Sequence, residues 1–299
     1  MQAASKFRGL GTALVTPFKV DGSIDEFAFE HLVDLQAEEG ADFIVPCGTT
    51  GENPALTYEE HIRVLELAVK RARGRIPVLA GAGSNNTERA VDLAIAARDL
   101  GADGVLSITP YYNKPTPDGL LRHFTDQCAA IDDIPVILYN VPGRTGVNMS
   151  AATTLRIATA IPNVVGVKEA SANMEQILQI LRDRPKDFLV LSGDDSLTLP
   201  LIAAGADGLI SVASNEIPRQ MKELVQNALN GEFAKAREVH ERMLPLMAGN
   251  FIESNPIPVK AAMKMLGILE SDTVRSPLAP ITEANARKLQ EILRECGLR

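Results

Sequence analysis

The chain has 299 residues, 45% of them hydrophobic and 23% charged, which is enough to bury a large core. A formal net charge of -8 gives no electrostatic footprint for nucleic acid, and no stretch reaches the roughly 18 apolar residues of a membrane span. The opening MQAASKFRGLG has no apolar core, so no signal peptide is expected, and the sparse cysteines Cys47, Cys128 and Cys296 suit free thiols in a reducing cytoplasm.

The first apolar run covers 10–16, in LGTALVTPF. Ser23 with Glu26 fits a capping box opening a helix that stops at Gly40. A second run follows at 42–46, in GADFIVPC. Thr57 with Glu60 opens the next helix, Gly74 ends it, and RIPVLAG supplies a run at 76–80. Gly101 closes a third helix before the run at 104–108, in GADGVLSI. DIPVILYN carries a run at 135–139 and IPNVVGVKE another at 164–167. Asn173 with Gln176 fits a further cap, and DFLVLSGDD adds a run at 188–191. Gly205 then precedes GADGLISV, with a run at 207–211.

Each run is short, rich in Val, Ile and Leu, and apolar on both faces, as parallel strands covered by helices are. Regular strand–helix alternation implies a parallel sheet. Eight units predict an α/β fold, a closed (β/α)8 TIM barrel, with an open doubly wound sheet as the alternative. After Ala213 the pattern is helical, over 218–231, 232–247, 259–267 and 283–296. This divides the chain into a catalytic barrel, 1–230, and a C-terminal helical extension, 231–299.

In such barrels the chemistry sits past the C-terminal ends of the strands. Lys168 stands there after the sixth run. A lysine that ends a buried strand is partly desolvated, which favours the neutral amine able to attack a ketone and form an imine. The plainer reading is a stem packed on the core with its head in water. Cys47, Gly48, Thr49, Thr50 and Gly51 follow the second run; hydroxyls between glycines suit a carboxylate cradle, or an ordinary turn. The fourth run leads into TPYYNKP, with Tyr111 and Tyr112, and the fifth into Tyr139 and Arg144 of YNVPGRTG. Three of the chain's four tyrosines thus gather at strand ends, where one could pass protons to imine intermediates. Arg144 could hold a carboxylate bidentately, or pair with a surface acid.

Other features carry less. Lys260 lies past the eighth run in a helical pattern and reads as structural, and GAGSNN from Gly81 lacks the third glycine of a dinucleotide fingerprint. His31, His61, His123 and His240 lack metal-ligand spacing, and Asp194-Asp195 has no histidine beside it, so neither a metal nor an organic cofactor is expected.

GTTGE at 48–52, TPYYNKP at 109–115, YNVPGRTG at 139–146 and GVKEA at 166–170 resemble the dihydrodipicolinate synthase (4-hydroxy-tetrahydrodipicolinate synthase) family, within the pyruvate-dependent class I aldolases. The resemblance runs from Phe7 to the C-terminal helices, including NPIPVKAAMKMLG. It implies condensation of pyruvate with L-aspartate 4-semialdehyde, on the route to diaminopimelate and lysine. By the same resemblance, Lys168 forms the imine, while Tyr139, Thr49 and Tyr112 form a proton relay, Tyr112 reaching in from a neighbouring subunit. Thr50 and Ile210 hold the pyruvate acid, and Arg144 holds the carboxylate of the semialdehyde. The implied assembly is a homotetramer, a dimer of dimers.

In lysine-inhibited members an interface pocket uses histidine, asparagine, tyrosine and an acid; His61, Asn85 and Tyr111 match, whereas Tyr58 and Arg89 depart from that pattern. A cation at Arg89 repels lysine amines, so weak or absent inhibition by lysine is expected. The alternatives are a related pyruvate aldolase acting on a sugar acid, and a non-catalytic barrel that binds a keto acid.

Overall fold

The computed structural model describes residues 5–131 and 134–299. Eight strands form its centre: β1 (Gly9–Ala13), β2 (Phe43–Val45), β3 (Leu79–Gly81), β4 (Gly104–Ile108), β5 (Val136–Asn140), β6 (Val164–Glu169), β7 (Leu189–Ser192) and β8 (Gly208–Ser211). The sheet order is β2-β1-β8-β7-β6-β5-β4-β3, and every pairing is parallel. The ends of that order meet at the bridge Ile44–Val78 and through Gly81 N–H donating to Pro46 O at 2.9 Å. The fold is therefore the eight-stranded barrel that the apolar runs predict.

A helix follows each strand: α1 (Glu26–Glu38), α2 (Tyr58–Ala72), α3 (Thr87–Asp99), α4 (Pro117–Ala129), α5 (Ala151–Ala160), α6 (Met174–Asp183), α7 (Thr198–Ala203) and α8 (Pro218–Leu229). Strand side chains alternate between two apolar clusters. One fills the barrel, with Phe43, Leu79, Leu106, Ile137, Leu191 and Ile210. The other lies between strands and helices and includes Ile44, Val105, Leu138, Val167, Val190 and Leu209. Burial on both faces explains why the strands read as continuous apolar runs rather than alternating ones.

The repeated Gly-Ala-Asp phrase has one physical role. Its glycines, Gly40, Gly101 and Gly205, take φ of 85°, 90° and 105°, which turns the chain out of the helix at no Cβ penalty. Its aspartates then reach sideways. Asp42 accepts from Leu10 N at 2.8 Å, Asp103 from Val78 N at 3.0 Å and Asp207 from Val190 N at 3.0 Å. Each carboxylate satisfies an N–H near the start of a neighbouring strand, at the end of the barrel opposite the C-terminal strand ends.

Some boundaries differ from the sequence reading. β1 stops at Ala13 rather than at residue 16, because Val15 N–H is drawn off to Asn215 Oδ1 at 3.1 Å. β3 begins late because Val78 donates to Asp103 instead of to a ladder. Asp25, not Ser23, caps α1: Ser23 turns back to Asp21, and Asp25 accepts from Ala28 N at 3.0 Å. Thr57 and Glu60 do form the reciprocal capping box. Asn173 caps α6, but the Gln176 side chain turns inward to Glu169.

Past the barrel come α9 (Phe233–Gly249), α10 (Ile257–Met265) and α11 (Glu283–Glu295). Leu246, Val259, Ala262 and Leu289 share the outer apolar cluster with the barrel helices, so one core runs across residue 231. Two polar ties add to it. Lys260 on α10 is buried against the Glu52 carboxylate, which also accepts from Arg275 N at 3.0 Å. Arg275 in turn grips Glu60 through both terminal nitrogens, at 2.6 and 2.7 Å. The helical extension thus folds back onto the loop that follows β2.

Candidate active site

Lys168 is the fifth residue of β6, so it lies within the strand rather than just past its end at residue 167. Its Cα pairs with that of Tyr139 on β5 and with that of Leu191 on β7. The Lys168 Nζ lies 4.3 Å from the centroid of the Tyr139 ring, and both side chains are buried. Strand alternation turns the next residue of each strand the other way. There Asn140 Nδ2 donates to both oxygens of Glu169, at 3.1 and 3.2 Å. Ser171 N and Gln176 Nε2 complete the shell of donors around that carboxylate. Burial raises the Glu169 carboxyl above the ordinary range, and these hydrogen bonds oppose the shift.

Gly193, past β7, lets the chain lie against Lys168: a Cβ there would sit 2.5 Å from Ala170 Cβ and 3.2 Å from Lys168 Cε. Asp194 follows. Burial raises its carboxyl above the ordinary range, and the Lys168 charge opposes that rise. Asp195 spends its oxygens on Ser211 Oγ and on the N–H groups of Val212 and Ala213, which holds the turn after β8.

A cavity of about 210 Å³ opens beside Tyr139 and is lined by Thr49, Ile108, Tyr111 and Arg144 among others. Its floor depends on a close backbone approach. A Cβ on Gly81 would lie 2.3 Å from Cys47 O, so the loop after β2 can rest on the end of β3 only because that residue is glycine. Cys47 itself has φ of 55°, and burial pushes its thiol far up, leaving a neutral group rather than a thiolate. His61 Nε2 meets Gly81 O at 2.8 Å beneath the same wall.

Thr49 lines the cavity, and Thr50 beside it is buried, its Oγ1 accepting from Asn255 Nδ2 at 2.9 Å. Arg144 sits in the single helical turn Pro142–Thr145, and its Nη2 donates to Asn255 O at 3.3 Å. Ile210 is fully buried in the barrel interior, with Tyr139 in the same cluster. Tyr112 stands apart: φ is 73°, its N–H donates to Thr145 O at 3.2 Å, and its side chain is 88% exposed. Within one chain the fold therefore gathers Lys168, Tyr139, Thr49, Thr50, Ile210 and Arg144 at one barrel mouth, and leaves Tyr112 outside.

The constellation holds an amine, a phenol against it, a hydroxyl pair and a guanidinium at the cavity rim. That set suits a carbonyl substrate bearing an acid group. Sequence reasoning placed Glu52 and Gly193 at strand ends and Asn255 in NPIPVKAAMKMLG but gave none of the three a role. Asn255 had a signal, a polar residue before proline ahead of an apolar helix, but nothing in it pointed to Thr50.

The Dihydrodipicolinate synthetase family model matches residues 6–296. The chain belongs to the dihydrodipicolinate synthetase family. A 4-hydroxy-tetrahydrodipicolinate synthase of Koribacter versatilis is 50% identical over 294 residues, covering 98% of this chain and 97% of that protein. The crystal structure of dihydrodipicolinate synthase from Aquifex aeolicus superposes with a TM-score of 0.95 at 49% identity, covering 98% of this chain and 99% of that one. The chloride-inhibited dihydrodipicolinate synthase of Acinetobacter baumannii, solved in complex with pyruvate, gives a TM-score of 0.94 at 40% identity, covering 98% and 99%. Members of the family with such names thus match over nearly the whole length, C-terminal helices included.

Proposed function

We propose that this chain is a lyase of the class I aldolase type that condenses pyruvate with L-aspartate 4-semialdehyde, giving 4-hydroxy-tetrahydrodipicolinate for diaminopimelate and lysine synthesis. The observation that carries the reading is the buried Lys168 amine, 4.3 Å from the centroid of the ring of Tyr139, which lines a cavity shared with Arg144. Family membership and the names of the close relatives support it.

The Lys168 amine attacks the ketone carbon of pyruvate, and the carbinolamine loses water to give the imine. Tyr139 moves protons to and from the nitrogen and the departing hydroxyl. Thr49 and Tyr112 complete the relay. The pyruvate acid rests on the backbone at Thr50 and Ile210, and Arg144 takes the carboxylate of the semialdehyde. Loss of a methyl proton gives the enamine, whose carbon attacks the aldehyde. The semialdehyde amine then closes onto the imine carbon and releases Lys168. No metal or organic cofactor enters these steps.

The working form is a homotetramer, a dimer of dimers, in the cytoplasm. The exposed Tyr112 ring and its left-handed backbone support a role across a subunit interface. The three unbridged cysteines support a reducing compartment, and no helix among the described residues is long and apolar enough to cross a membrane. Residues 1–230 form the catalytic barrel, and 231–299 the extension that braces it.

The deciding experiment measures product from pyruvate and the semialdehyde, in parallel with sugar-acid cleavage, for the wild type and Arg144→Ala. Turnover that falls ~10–100-fold in the variant, mainly through KM for the semialdehyde, supports the reading, as loss of a charge-assisted pair does. Brisk sugar-acid cleavage without synthase turnover would move the chain to the lyase branch. Failure to trap a pyruvate adduct on Lys168 with borohydride would favour a binding barrel.

A further inference from the structure

Asn255 lies 205 residues from Thr50 in sequence, just ahead of α10, yet it touches two groups that the proposed reaction uses. Its side-chain Nδ2 donates to Thr50 Oγ1 at 2.9 Å, and its backbone carbonyl accepts from Arg144 Nη2 at 3.3 Å. We propose that Asn255 is a positioning residue: it aims the Thr50 hydroxyl proton at the pyruvate carboxylate and ties that hydroxyl to Arg144.

The direction of the bond carries the argument. A threonine hydroxyl has one proton to donate and lone pairs to accept with. Asn255 fills an accepting position, and among the described residues no protein acceptor takes the Thr50 proton. The one proton is therefore kept for an acceptor in the site, and a carboxylate oxygen is the strongest available kind. Had the amide been turned over, its oxygen would take that proton, and the site would offer pyruvate only lone pairs.

The orientation is also maintained at a cost. Asn255 is 5% exposed, and its Oδ1 is buried with no hydrogen-bond partner among the described residues. An orphaned buried amide oxygen is unfavourable, and such groups persist where an arrangement serves something other than stability. The frame around the contact is stiff. Glu52, two residues after Thr50, is ion-paired with Lys260, five residues after Asn255, so a second buried tie joins the loop to α10 close to the Asn255–Thr50 bond.

The inference rests on the reading that pyruvate binds at Thr50. It is tested with steady-state kinetics of the full-length protein for Asn255→Asp, Thr50→Val and the double variant. Asn255→Asp keeps the size and the backbone carbonyl but turns the donor into an acceptor that captures the Thr50 proton. The expected result is a rise in KM for pyruvate of about 10-fold or more, with kcat changed by less than ~3-fold, the pattern of lost ground-state binding. In the Thr50→Val background the same substitution should add less than ~2-fold, because the group it acts through is gone. An unchanged KM for pyruvate, or an equal rise in both backgrounds, would overturn the proposal. Should Asn255→Asp fail to fold, Asn255→Ala in the same two backgrounds tests the same coupling. A wild type that neither turns over nor traps pyruvate would instead sink the functional reading, a distinguishable outcome.

Discussion

Lys168 and Tyr139 are register partners on adjacent strands, and the amine of one lies 4.3 Å from the centroid of the other's ring. The outward pair Asn140 and Glu169, one residue further along, locks that register through both carboxylate oxygens. Tyr139→Phe keeps the ring against the amine and removes the hydroxyl. It should lower kcat by about 10²–10⁴-fold, the usual scale of a lost proton-transfer group, with little change in folding. Lys168→Ala should abolish borohydride trapping of pyruvate, as read by intact-protein mass. Wild-type kcat in Tyr139→Phe would remove the phenol from the relay.

The Glu52–Lys260 pair is wholly buried and joins the loop after β2 to α10. Removing one partner strands a charge in the interior. Lys260→Met should lose about 3–5 kcal/mol of stability, whereas Glu52→Gln with Lys260→Met should recover much of it. Urea denaturation of both variants reads the difference. A double variant no better than the single would show that the pair is not what Lys260 supplies.

Burial lowers the His61 imidazole to about 4 from its ordinary 6.5; the Arg89 charge adds to the shift, and the bond to Gly81 O opposes it. The folded chain therefore holds His61 neutral between about 4 and 6.5, where the unfolded chain binds a proton. Stability from this residue is complete above pH 6.5 and falls as pH drops toward 4. The total loss is on the order of 3 kcal/mol. Denaturation midpoints from pH 7 to 5 should fall more steeply in the wild type than in His61→Gln. Parallel slopes would mean that His61 titrates normally.

Arg89 is exposed near the N-terminus of α3, and Tyr58 opens α2 with 40% of its surface in solvent. The Arg89 cation disfavours binding of lysine amines nearby. Turnover should be insensitive to lysine below about a millimolar, and Arg89→Glu should increase sensitivity by removing like-charge repulsion. Strong inhibition of the unmodified chain at those concentrations would contradict this.

Much of the barrel was legible before any coordinates. The strands and their count show in the sequence because burial on both faces forces short runs of Val, Ile and Leu. The Gly-Ala-Asp phrases mark where helices end, because the positive φ at Gly40, Gly101 and Gly205 favours glycine. Strand ends were less legible. At Val15 and Val78 the backbone N–H is taken by the side chains of Asn215 and Asp103, partners that no local pattern announces. The cap of α1 was misplaced for a similar reason: Ser23 prefers its neighbour Asp21, which leaves Asp25 to close the helix.

The site divides along the same line. Lys168, Tyr139, Thr49, Thr50 and Arg144 could be picked out because each follows or ends an apolar run, and a parallel barrel sends all strand ends to one face. The sequence by itself therefore determined the architecture, the barrel face at which these side chains gather and the residue types available there. Those properties follow from local burial patterns and chain direction. Tertiary structure alone decided that Tyr139 lies against Lys168, that Glu52 pairs with Lys260 and that Asn255 donates to Thr50. Those contacts join residues 29, 208 and 205 positions apart, from the register of adjacent strands and the return of the C-terminal helices. A side chain's identity says what it can bond to, but only the packed chain says which partner comes within reach.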